Sequence, residues 1–393
     1  MNTRPIAWVT ALGVLACSGK VSQPQSTALL LEATACRPCH QGIVDTYLET
    51  AHYRTSAPAT AETIRGSFAE GRNVLQTRVP SVRFKLEHRQ QGFYQTASDL
   101  SRMTSRSERF DLVTGSGRKG QSYLYWRGGR LFELPVSYLT GLDQWINSPG
   151  YLDGQIDFDR PIPPRCLECH ATTFQLSSDP TGLSYTAQFR LGITCEKCHG
   201  DGRRHIEIHA ANSGAIKGGE EIRNPAHFPR DRKLDNCALC HSGVRGAIQP
   251  PFSYRPGEPL EAYSRPDSGA AVPDVHGNQI ALLRQTKCFR GSPEMSCATC
   301  HDVHRTQRDL TELAQKCLAC HRAADHKNGA EIGALLMTAC VDCHMPDQRS
   351  NAIQINTPTE QFSPFYRSHA IAVYPAVSSA ILQTRRSASR PDR

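Results

Sequence analysis

The sequence predicts a mainly α chain with little regular structure, wrapped around a stack of bound prosthetic groups and interrupted by one β-rich insert, so α+β overall. Three observations predict it. Of the 16 Cys in the 393-residue chain, 14 fall in seven copies of C-x-x-C-H. Six copies crowd into residues 166–344, about 30 residues for each, far too little chain to build a side-chain core apiece. Residues 65–160 carry no copy and show an apolar period of two instead.

Taken in order, Arg4 and the apolar stretch 6–16 read as a signal peptide over residues 1–16. Eleven apolar residues are too few to span a bilayer as a helix. Val14-Leu15-Ala16-Cys17 resembles a lipoprotein cleavage box, which makes Cys17 the lipidation candidate, with simple secretion as the alternative. Residues 17–30 follow as a polar tether, and 31–64 form the first motif segment. Across 65–160, Val82, Phe84 and Leu86 alternate with charged residues, and Gly128-Gly129 separates two aromatic-rich runs at 121–127 and 130–138. Two glycines between such runs signal a tight hairpin. The insert caps the stack or docks a partner, the cap being the preferred reading. Residues 161–375 form the six-motif domain. Within it Asn328, with Glu331 three residues on, can open a helix. Ile332, Leu335, Leu336 and Ala339 share one face of that helix, which delivers Cys340 at its end. Residues 376–393, with Arg385, Arg386, Arg390 and Arg393, read as a basic solvated tail.

The motif has a mechanical reason. Two thiols three positions apart reach the two vinyl groups on one edge of haem as thioethers, and the His that follows supplies the fifth iron ligand. Zinc ribbons use C-x-x-C pairs but require no His after every second Cys. Redox dithiols carry one pair, not seven, and a disulfide framework would not repeat one spacing. The thioether cysteines are Cys36, Cys39, Cys166, Cys169, Cys195, Cys198, Cys237, Cys240, Cys297, Cys300, Cys317, Cys320, Cys340 and Cys343. The proximal ligands are His40, His170, His199, His241, His301, His321 and His344. The expected cofactor is therefore seven covalently bound haem c. Haem attachment of this kind takes place outside the bacterial cytoplasm, which agrees with an exported, periplasmic or cell-envelope chain.

Nine histidines remain, against five Met, so bis-His ligation is expected, with lower potentials than His/Met ligation. His304 lies too near His301 to serve the same iron from the opposite face, and so ligates a neighbour. His205 and His326 stand five to six residues after a proximal His and behave likewise. His209 and His227 are intermediate, and His88 in the insert reads as a surface residue. Cys288 has no partner in a motif; it is a small buried side chain or a thiolate sixth ligand.

The string from Cys297 to His304, preceded by Cys288-Phe289-Arg290-Gly291-Ser292, resembles the multihaem cytochromes of the c-552/c-554 type, related to nitrifier cytochrome c-554. So do Cys340-Val-Asp-Cys343-His344-Met345-Pro346, Cys195-Glu-Lys-Cys198-His199-Gly200 with His205, and His369-Ala-Ile-Ala-Val-Tyr374. The resemblance covers about 30–60 and 115–375. It implies that His52, His205, His276, His304, His326 and His369 are distal ligands, with His209 or His227 as the seventh, or one iron left open. No C-x-x-C-K occurs, which counts against a nitrite-reductase-like active site.

The expected function is electron relay between redox partner proteins or quinol-linked donors. The alternative is a reductase or oxidase of small nitrogen or sulfur compounds, built on one open or Cys-ligated iron. The net charge of +8 does not indicate nucleic acid. Loss of Arg4 leaves 44 − 37 = +7, and the 14 propionates of seven haems, offset by one positive charge at each ferric iron, bring the oxidised protein near zero. A membrane is expected only through the lipid at Cys17.

Overall fold

The computed structural model describes residues 31–211, 222–243, 245–266, 278–327, 329–350 and 353–388. The signal, the tether, Cys17, His276 and Asn328 lie outside these. The chain enters with a 3-10 turn, Ala33–Cys36, that runs into α1, Arg37–Tyr47. Pro38 in the first turn of α1 needs no donated N–H there. The helix kinks at His40, where φ is −120° and ψ 36°.

Ten strands follow: β1 Ser56–Pro58, β2 Val74–Gln76, β3 Val82–Arg89, β4 Gly92–Asp99, β5 Thr104–Arg109, β6 Leu112–Thr114, β7 Gly120–Arg127, β8 Arg130–Glu133, β9 Val136–Leu139 and β10 Gln144–Asn147. They make two antiparallel sheets. One has the order β2-β3-β4-β5; the other runs β1-β6-β7-β9-β10, with β8 beside β7. Val82, Phe84 and Leu86 are buried from one face of β3 while their neighbours face outward. With Phe93, Phe110, Tyr123, Tyr125, Val136 and Trp145 they form the largest apolar cluster among the described residues. Gly128 and Gly129 turn β7 into β8 with φ of +56° and +75°, the double left-handed conformation that a two-residue hairpin demands and that glycine adopts without strain.

The motif-rich remainder begins with α2, Pro164–His170, which passes directly into the hairpin β11, Ala171–Leu176, and β12, Tyr185–Leu191. Next come α3 Cys195–His199, α4 Arg203–Ala211, α5 Arg230–His241 and the strand pair β13 Arg245–Ala247 and β14 Ser264–Pro266. Then follow α6 Gln279–Arg284, α7 Lys287–Gly291, α8 Leu310–Leu318, α9 Gly329–Ile332 and α10 Cys340–His344. Four short strands, β15 Asp347–Arg349, β16 Ile355–Asn356, β17 Gln361–Phe362 and β18 Phe365–Arg367, pair as β15 with β18 and β16 with β17. Residues 376–388 of the expected tail are helical, in α11, Pro375–Ala388.

The expectation of a mainly α chain is overturned. Strand is nearly as abundant as helix, and antiparallel pairs recur in the motif-rich region as well as in the insert. The cause is local. Thr172, Thr173 and Phe174 follow His170 without a break and favour extended backbone. The Asp179-Pro180-Thr181-Gly182 turn then returns the chain. The helix expected from Asn328 to Cys340 is also interrupted. Gly333, at φ +57°, ends α9, a 3-10 run of Gly333–Met337 follows, and Cys340 opens a new helix. Apolar packing thins where motifs crowd: one cluster there is Ala238, Leu239, Leu260 and Ile280, another Leu234, Leu283 and Phe289.

Several contacts join the β-rich part to the rest, among them a shared apolar cluster of Leu112, Leu124 and Leu131 with Leu167, Phe174 and Tyr185. Ser56 Oγ donates to the His170 carbonyl at 2.5 Å. On the far side, Asn147 Nδ2 donates to Asn356 O at 2.8 Å and Arg78 Nε to Pro358 O at 2.8 Å.

Candidate haem-binding site

All seven motifs lie in single helical turns. The first straddles the 3-10 turn and α1, the second ends α2, and the third is α3. The fourth ends α5, the fifth is a 3-10 turn at Cys297–Thr299, the sixth spans the end of α8, and the seventh is α10. The helical period puts residues three apart on one side, so each turn presents its two thiols together with the His immediately after. The fifth turn is held by a reciprocal cap between Ser296 and Thr299. None of the 15 described cysteines, Cys288 included, is in a disulfide.

Five motif histidines face a second histidine ring. His40 lies 6.4 Å from His205 between ring centres, His199 6.1 Å from His304, and His301 6.0 Å from His369. His344 lies 6.2 Å from His326, and His241 6.2 Å from His52. Each pair joins one motif His with one outside the motifs. Ordinary aromatic contacts spread over about 4.5–7 Å, whereas these five fall between 6.0 and 6.4 Å. Two imidazole nitrogens each about 2 Å from one metal stand about 4 Å apart, which sets their ring centres a little over 6 Å apart. The spacing therefore fits an iron held between each pair.

The other ring nitrogens point the same way. His199 Nδ1 meets Arg223 O at 2.8 Å, His344 Nδ1 meets Ala372 O at 2.9 Å, and His369 Nδ1 meets Gln279 Oε1 at 2.7 Å. A proton on Nδ1, given to an oxygen acceptor, leaves the Nε2 lone pair for a metal and fixes the ring plane. Loss of water by burial holds His199 and His369 below the ordinary imidazole value, His369 down to about 4. Burial thus favours the neutral ring in both, the form that iron ligation requires. Tyr47 backs the ring of His304 at 6.2 Å and anchors itself by donating to Ile193 O at 2.6 Å.

Of the remaining candidates, His209 lies against His205, 4.5 Å between ring centres, and against no motif His in the described contacts. His227 is exposed at the end of a 3-10 turn. His88 is exposed and stacks on Phe93 at 4.5 Å. His276 lies outside the described residues. His170 holds Thr55 Oγ1 at 2.9 Å through Nδ1. His321 is exposed, and among the described residues no histidine ring stacks on it. Cys288 accepts or donates a contact with Thr286 Oγ1 at 3.3 Å and lies within electrostatic reach of Cys300 and Cys317.

The thiols approach one another between motifs. Cys36 lies within electrostatic reach of Cys195, Cys169 of Cys240, Cys237 of Cys297, and Cys317 of Cys340. The second and fourth motifs also bond reciprocally, Cys169 Sγ to Leu239 O and Cys240 Sγ to Glu168 O, both at 3.9 Å. Sequence reasoning had no means to find Thr55, Gln279 or Tyr47, because each supports a histidine that is distant in the chain.

Residues 149–200 match the family model described as cytochrome c554 and c-prime. Over 178 residues the chain is 24% identical to the C-type polyheme cytochrome OmcC of Geobacter sulfurreducens, covering 37% of this chain. Over these stretches the chain is similar to multihaem c-type cytochromes. The OmcC match spans about a fifth of that relative's length, 21%. Among solved structures the chain shares its fold with the outer cell wall cytochrome OcwA, with a TM-score of 0.53 and 18% identity over 89% of this chain and 81% of that one. The undecaheme cytochrome from the S-layer of Carboxydothermus ferrireducens scores 0.39 at 16% identity, over 84% and 54% of the two chains. No described helix is long and apolar enough to cross a membrane.

Proposed function

We propose that the chain is a seven-haem c-type cytochrome that relays electrons along its haems between redox partners at the cell envelope. The observation that carries this is the set of five histidine pairs at 6.0–6.4 Å, which fit irons closed on both faces. An iron so closed exchanges electrons and leaves no position for a substrate. Haem supplies the one-electron chemistry; the chain supplies ligands, spacing and electrostatics.

The thiol contacts support an order for the relay. Thioethers grip one edge of each haem, so neighbouring cysteines bring two haem edges together. Such approaches join the motif at Cys36 to that at Cys195, Cys237 to Cys297, and Cys317 to Cys340. Cys198 lies within electrostatic reach of Cys237 and Cys240, and Cys300 of Cys320, which closes the two gaps. The motif at Cys166 joins at Cys240, as a side branch. The route thus differs from chain order. Export and a lipid at Cys17 are part of the same proposal, and so are redox proteins or quinol-linked donors as partners.

The test is the mass of the secreted protein together with the EPR spectrum of its oxidised form. Seven haem additions and predominantly low-spin signals are expected. A large high-spin fraction would sink the relay in this form.

The second reading is a reductase or oxidase of small nitrogen or sulfur compounds, favoured by one observation: the exposed His321, on which no described histidine stacks. It predicts one high-spin iron, and turnover of hydroxylamine, nitrite or tetrathionate with a reduced dye. Absence of all such turnover removes it.

A further inference from the structure

The turn that follows His52 grips His170 twice. Thr55 Oγ1 lies 2.9 Å from His170 Nδ1, and Ser56 Oγ donates to the His170 carbonyl at 2.5 Å. The turn is itself pinned. The Thr55 carbonyl accepts the Gly115 N–H at 2.7 Å beyond the end of β6, and Ser56 Oγ accepts the Gly192 N–H at 2.9 Å. Thr55 is half-buried and Ser56 buried, so neither hydroxyl is an incidental surface contact. Were Nε2 to hold iron, His170 Nδ1 would carry the proton and donate a hydrogen bond to the Thr55 hydroxyl. The acceptors of the other rings differ: backbone carbonyls for His199 and His344, a carboxamide for His369.

We propose that Thr55 is a positioning residue for His170. It fixes the ring plane and the tautomer and, by accepting the Nδ1 proton, makes the imidazole a stronger donor to iron. It thereby sets the potential of the haem on Cys166 and Cys169. This rests on the relay reading above and deepens it, because the residue that tunes the branch haem comes from the root of the β-rich part. The same turn presents His52 to His241 at 6.2 Å, so one short segment serves two haems whose cysteines lie within electrostatic reach of each other.

The experiment is a redox titration of the haem-loaded protein followed by EPR, for the wild type, Thr55→Val, Thr55→Ala and Thr55→Ser. Loss of the acceptor weakens the imidazole as a donor and favours ferrous iron. Thr55→Val therefore shifts one midpoint potential upward and moves the g values of one low-spin signal. Thr55→Ala, which removes the same acceptor without adding bulk, reproduces the shift, and Thr55→Ser restores the wild-type values. Full haem loading with unchanged potentials in Thr55→Val and Thr55→Ala overturns the role of Thr55. So does a Ser variant that behaves like the Val variant. A wild-type protein lacking thioethers at Cys166 and Cys169 overturns the relay reading itself.

Discussion

At the residue scale, the polar partners of the histidines carry information that the motifs do not. Gln279 is the clearest case. Its Oε1 accepts both the His369 Nδ1 proton and the His369 backbone N–H, at 2.7 and 3.1 Å, so one carboxamide sets ring and main chain together. Gln279→Leu is expected to raise the potential of the haem on Cys297 and Cys300 while leaving the others in place, read by the same titration. Gly192 is a second case. Its φ is +65°, and a Cβ there would stand 2.1 Å from the Tyr53 carbonyl oxygen. Gly192→Ala is therefore expected to destabilise the fold by more than about 2 kcal/mol, since left-handed backbone and a backbone clash both count against it. Thermal unfolding checks this. The motif cysteines and histidines stand out in the sequence because the pattern they form is local, five residues long. Their supports do not: Gln279 and His369, or Thr55 and His170, meet only through tertiary structure.

At the scale of elements, β3 was legible because Val82, Phe84 and Leu86 alternate with charges, and the glycine hairpin because only a few turns tolerate two left-handed residues. The hairpin of β11 and β12 was hidden by its position, since a chain crowded with motifs reads as helix and loop. Phe84 is fully buried at the centre of the large cluster. Phe84→Ala is expected to cost about 3–5 kcal/mol, seen as a lower unfolding midpoint of the haem-loaded protein. The outer face of β3 responds to acid. Burial alone would raise the Glu87 carboxyl, but bonds from Arg89, Thr96 and Lys85 outweigh it and hold the group down at about 2. The folded chain then binds fewer protons than the unfolded one between about 4.5 and 2. The contribution is present above pH 4.5 and is lost as pH falls through that window. Because its partners Lys85 and Arg89 are exposed to solvent, the loss is under about 1 kcal/mol, and Glu87→Gln is expected to flatten that part of the stability–pH curve.

At the scale of the whole molecule, two packing regimes share one chain. Aromatic side chains fill the β-rich part, while between the motifs the apolar clusters are small and cysteines take part in them. The composition pointed to this division, but the order of the motifs in space was illegible. Three of the five histidine pairs join residues more than 100 apart in sequence, and nothing in a repeated five-residue motif says which copy it meets. Raising a single potential tests the order. His241→Met puts a thioether on an in-line haem and is expected to slow electron transfer from one end of the protein to the other, measured by flash reduction, whereas His170→Met on the branch leaves the rate unchanged. Equal slowing by both would place the branch in line.

The crossed histidine pairs also impose a timetable on assembly. If the chain is exported from its N-terminus, as proposed, it presents His40 long before His205, His199 before His304, and His301 before His369. His241 and His344, by contrast, emerge after their partners His52 and His326. Three haems attached early would then wait with one face uncovered until later chain arrives, and the last partner, His369, lies beyond every motif. A truncation just before His369 should therefore leave the haem on Cys297 and Cys300 attached but reactive toward carbon monoxide. The C-terminal segment is in this sense the closing step of maturation.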